Sequence, residues 1–112
     1  MQVDALNMLP AHIAEKSIST REVVLPEPEA RVAINVFESN GVLILGWEGW
    51  VKAVDGQVGH GSAPQGTGSI EGLSVHEAAQ LCRETIPSEA AKWQLENPST
   101  TDIVHFCITV RI

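Results

Sequence analysis

The alternation of apolar and polar positions is sharpest at the C-terminal end. There "DIVHFCITVRI" sets Val104, Phe106, Ile108, Val110 and Ile112 against His105, Cys107, Thr109 and Arg111. A period of two through so many β-branched residues predicts a strand with one buried face. "ARVAINVF" reads similarly, with Val32, Ile34 and Val36 on one side and Ala33, Asn35 and Phe37 on the other. Its β-branched content favours a strand from Arg31 to Glu38 over a helix. Asn40-Gly41 follows, the pair that a type I′ turn selects because both central residues take positive φ, so a hairpin with Val42 to Val54 is expected. That second strand is apolar on both faces: Leu43, Leu45, Trp47, Val51 and Ala53 share one, and Val42, Ile44, Trp50 and Val54 the other. Such a strand is either central and covered on both sides or exposed at an interface. Gly46 and Gly49 mark a bend or bulge between the tryptophans.

Helical periods flank this region. Asp4 or Asn7 can cap a first helix to about Ser17, with Leu6, Leu9 and Ile13 on one face and Pro10 early in it or at a kink. Val23 to Leu25 is a short apolar run stopped by "PEPE", whose prolines suit an edge strand and an extended link. Asp55-Gly56 repeats the turn signal, with a brief return strand at Gln57 and Val58. "SVHE" has the capping-box pattern, with Ser74 as N-cap and Glu77 reaching back to it. The helix after it buries Val75, Ala78, Ala79, Cys82 and Ile86 and stops or kinks at Pro87. Ser88 then restarts a short helix through "EAAKWQLE", with Ala90 and Trp93 inward. The expected architecture is therefore α+β: a mostly antiparallel sheet of four or five strands with two or three helices packed on one face. One domain spans residues 1–112, with a mobile glycine-rich loop over 56–73.

Composition narrows the function classes. The hydrophobic share of 44% against 19% charged is that of a folded globular chain. Fourteen acidic residues face seven basic ones, a formal charge of -7, which argues against nucleic acid, whose phosphates require Lys and Arg. It suits solubility, or a basic protein partner. No apolar run reaches a membrane span, and "MQVDALNMLP" lacks the basic start and apolar stretch of a secretion signal, so a cytoplasmic protein is expected. Cys82 and Cys107 are too few for a disulfide framework and read as buried thiols.

The chemical motifs are all near misses. Gly61 and Gly66 have the spacing of a phosphate-binding loop, but Thr67 stands where its lysine belongs and no Lys or Arg occurs from Ala53 through Cys82. Pro64 breaks the dinucleotide pattern that Gly59 and Gly61 begin. "HEAAQ" ends on Gln80 where a zinc-protease motif needs its second histidine, and Glu77 is already explained by the capping box. His60, His76 and His105 read as unrelated histidines rather than a metal set. His105 and Cys107 share a strand face about 7 Å apart, too far for an activated thiol pair. Ser62, Ser69 and Ser74 lack the nucleophile elbow. No cofactor is implied.

The residues left as ligand or interface candidates are Trp47, Trp50, His60 and His76. They point to a non-enzymatic binding or interaction module, homodimeric through the apolar strand, with a small apolar ligand in a pocket bordered by the glycine loop and the two tryptophans. The alternatives are an acidic inhibitor of the immunity type directed at a basic protein, and a small enzyme using His60 or His76 with a neighbouring Glu.

Overall fold

The computed structural model describes residues 2–60, 62–67 and 70–111. Gly61, Ser69 and Ile112, weighed above for a phosphate loop, a nucleophile and the last strand, lie outside the described residues. The architecture is α+β. Strands β1 (Val23–Pro26), β2 (Leu43–Lys52), β3 (Val58–Gly59) and β4 (Ile103–Arg111) form one antiparallel sheet in the order β1-β4-β2-β3. Helices α1 (Gln2–Met8), α2 (Ala11–Ala14), α3 (Glu27–Ser39) and α4 (Val75–Glu96) complete the described elements. Buried side chains of all four helices join one apolar cluster with Val23, Leu25, Ile44, Trp47, Phe106, Ile108 and Val110 of the sheet.

The expected strand at Arg31 to Glu38 is helical. Its run satisfies both periods, and the buried set Ala30, Ala33, Ile34 and Phe37 follows the i, i+3, i+4, i+7 spacing of a helix. The flanks decide between them. Pro26 is the N-cap, Pro28 falls in the first turn where no helical hydrogen bond is lost, and Glu27 and Glu29 face the positive end of the helix dipole. Asn40-Gly41 is the exit of α3 and not a hairpin turn. Gly41, at φ +70°, donates from its N–H to the Glu38 carbonyl, and the Val42 N–H reaches the Phe37 carbonyl, which is the Schellman pattern. The partner of β2 is consequently β4, inserted between β1 and β2.

Two further boundaries differ. Pro10 divides the expected first helix into α1 and α2, serving as N-cap of the second. Pro87 does not end α4. The inward positions Ala79, Cys82, Ile86 and Trp93 keep one helical register across it, and their burial outweighs the one hydrogen bond a proline omits. The capping box forms in full: Glu77 N–H donates to Ser74 Oγ (3.1 Å), and Ser74 N–H to Glu77 Oε1 (3.0 Å).

The glycine-rich segment is a strap along the free edge of β2. Gly49 N–H donates to the Pro64 carbonyl, Thr67 N–H to the Trp47 carbonyl, and Ile70 N–H to the Leu45 carbonyl, at 2.7 to 3.1 Å. Thr67 Oγ1 accepts from the Trp47 N–H (3.1 Å). The strap needs glycine at its closest approaches. Gly66 sits at φ +88°, and a Cβ there would collide with the Trp47 carbonyl; one at Gly49 would collide with Pro64. Trp93 Nε1 pins the strap's other side to α4 by donating to Ser62 Oγ (3.1 Å).

Candidate functional site

The sheet has two faces of different character. Ile44, Trp47, Gly49 and Val51 of β2 lie opposite Val110, Ile108, Phe106 and Val104 of β4, on the helix-covered side. Ile44 and Trp47 share this face because the bulge falls between Ile44 and Gly46, ahead of the tryptophans rather than between them. On the other side, Val24, Cys107 and Glu48 are cross-strand neighbours in one row, and Pro26, His105 and Trp50 in the next. None of these six belongs to the apolar cluster.

Trp47 is a core residue. It is 3% exposed, its ring meets Phe106 edge-on at 5.1 Å, and Nε1 donates to Thr85 Oγ1 of α4 (2.9 Å). A tryptophan with its polar atom satisfied inside the core is a structural anchor. Trp50 is half-buried on the opposite face. Its Nε1 donates to Glu48 Oε1 (3.3 Å), and His60 stands edge-on to its ring at 5.1 Å. His60 is held there by a hydrogen bond from Nδ1 to the Gly49 carbonyl (3.2 Å), in the tautomer protonated at that nitrogen. Of the four candidate residues, Trp50 and His60 come together.

His76 lies elsewhere, at the start of α4. Its Nδ1 contacts the Glu38 carboxylate at the end of α3, and Arg83 binds the same carboxylate at 2.6 Å. Arg83 also donates to Gln80 Oε1 (2.7 Å) and Asn35 Oδ1 (3.0 Å). The Arg83 guanidinium, aided by His76, holds the Glu38 carboxyl below the usual carboxylate range. This network ties two helices together.

Three residues of the Trp50 face are not identified as candidates by sequence reasoning. Glu48 precedes Trp50 by two and so shares its side, which strand parity alone would have found; Glu22 lies in the bend just before β1, where parity does not reach. Burial pushes the Cys107 thiol up to about 12, and the Glu22 and Glu48 carboxylates add to the rise, so both acids bear on one spot. Burial likewise lifts Cys82 to about 11. Neither sulfur is a thiolate at neutral pH. The two cysteines also lie on opposite sides of the sheet, Cys82 in the core and Cys107 beside Glu48. His105, weighed above with Cys107 and set aside, is the third, 4% exposed, with Nδ1 donating to the Ile103 carbonyl (3.1 Å) rather than turning to Cys107.

Among the described residues no three His, Cys, Asp or Glu side chains gather as metal ligands, and no helix is long and apolar enough to cross a membrane. Comparison with known protein families, characterised proteins and solved structures gives no match.

Proposed function

We propose that the protein is a non-enzymatic recognition module that takes a basic protein partner on the sheet face opposite its core. The observation that carries this reading is the Trp50 patch: a half-buried indole, edge-on to His60 and flanked by Glu48, with Glu22 and Glu48 both acting on the intervening Cys107. An arginine or lysine head laid on the indole gains the attraction of the ring face together with a carboxylate partner. The formal charge of -7 steers a cationic partner toward the molecule. The same chemistry serves an inhibitor that neutralises a basic protein.

Self-association through this face is less well supported. Glu48, Lys52, Thr109 and Arg111 are exposed on it, and homodimer interfaces exclude charge from their centres. Affinity capture at low salt from the native cell, with Trp50→Ala and Glu48→Lys as controls, tests the proposal. It predicts a basic protein retained by the wild type and released by both variants. Equal retention on all three, or a stable dimer that Trp50→Ala dissociates, would contradict it.

A further inference from the structure

Beyond Lys52 and Ile103 the same sheet face runs into an open groove of about 530 Å³, within the range of small-molecule sites. Trp50 and Glu48 do not line it, and it adjoins the partner surface proposed above, sharing Lys52 and His105 with that face. The residues that follow α2 form one wall. Ser17 Oγ accepts from the Val24 N–H (3.0 Å), and the Ile18 N–H donates to the Val24 carbonyl (3.1 Å). These bonds close the outer edge of β1 and set Lys16 on the groove that Lys52 also lines.

The charge of the lining opposes that of the molecule. The chain has three lysines, and two of them, Lys16 and Lys52, are here, with Glu15 the sole acidic lining residue among those described. Neither lysine has an ion-pair partner among the described residues, whereas Arg31 and Arg83 are both paired. His105 of β4 lines the same groove, and with Nδ1 committed to Ile103 its Nε2 has no hydrogen-bond partner among the described residues. Apolar surface is also left over: Val54 is 77% exposed and Ile103 55%, and both line the groove with Ile18. No arginine lines it among the described residues, which disfavours phosphate relative to a singly charged carboxylate.

We propose that this groove binds a small amphipathic carboxylic acid, its carboxylate held by Lys16, Lys52 and His105 and its apolar body laid on Ile18, Val54 and Ile103. Since Nδ1–H is engaged, Nε2 must take up a proton to donate to the ligand. Burial keeps His105 below the ordinary histidine range, with Lys52 acting in the same direction and the Ile103 carbonyl and Glu29 of α3 against it. Glu15, Lys16 and Lys52 are the other charged groups facing the groove. Binding therefore takes up a proton and tightens as pH falls through the histidine range.

Octanoate titrated into the ¹⁵N-labelled protein is the test, with octanol and inorganic phosphate as separate arms. Octanoate is expected to shift the amides of Lys52, Ile103 and His105, octanol and phosphate to leave them unmoved. Lys16→Ala and Lys52→Ala should each weaken binding by about fivefold, and His105→Gln should flatten the pH dependence. The lysines are exposed, so their variants keep the test valid even where His105→Gln fails to fold. Octanol shifting the same amides would leave an apolar groove alone, and phosphate shifting them a bare cationic patch. Either result, the absence of any shift, or unchanged affinity in Lys52→Ala overturns the proposal.

Discussion

Trp47 and Trp50 are three residues apart on one strand and face different worlds. Trp47 is closed in by Phe106 and Thr85, and its indole N–H is spent inside the fold. Trp50 is held by His60 and Glu48, both exposed, in a cross-strand row that lies outside the apolar cluster. Residue type and hydrophobicity are identical, so the difference comes from position: strand parity sends the two rings to opposite sides, and helices cover one side. An aromatic outside the core, beside an exposed carboxylate, is the feature on which the proposed partner surface rests.

Substitutions separate the two sides most strongly where they break the core. Trp47→Ala is expected to cost about 3 to 5 kcal/mol in urea unfolding, the loss of a large buried aromatic. Next comes Gly66→Ala, which meets both positive φ and the Trp47 carbonyl and should lose about 2 to 3 kcal/mol. Gly56→Ala is its control: φ is +89° there too, but nothing lies near an added Cβ, so the cost should stay near 1 kcal/mol. A Gly66 variant no worse than the Gly56 one would show that the strap is not fastened to β2. Trp50→Ala should lose only about 1 kcal/mol, in keeping with its place outside the core.

The smallest effects are in pH. His105 is held neutral by burial, so its folded form takes up a proton less readily than the unfolded chain; stability is full above the ordinary histidine range and declines as pH falls through it. Glu38 is depressed by Arg83, so its contribution is present above the ordinary glutamate range and disappears at lower pH, as its carboxyl protonates. Melting temperatures against pH should show two windows. His105→Gln should remove the upper one, and in Glu38→Gln the deficit relative to wild type should close at acid pH.

Much of the framework was legible from sequence. β4 is a strict two-residue alternation, the Ser74/Glu77 box is a local signal with a local cause, and the α+β class followed from the order of elements. At Arg31 to Glu38 the β-branched content favours a strand, yet "PEPE" is a helix entrance as well as an extended link, and Asn-Gly caps a helix as readily as it turns a hairpin. The strap's attachment was not readable, because its hydrogen bonds use backbone groups across a long separation. Among the site residues, His60 could be singled out but not its edge-on contact with Trp50, which depends on where that strap returns. Glu48 was within reach of parity reasoning, whereas Glu22 lies in the bend before β1. Lys16 beside Lys52 was not, since only the fold of the 15–18 segment onto β1 brings them to one groove.

The partner face is tested most directly by calorimetric titration of the captured basic protein against wild type and Trp50→Ala, with thermal unfolding of both. Binding weakened about thirtyfold or more, with a melting temperature within a few degrees of wild type, is the predicted result. Unchanged affinity in a folded Trp50→Ala would contradict the assignment of this face.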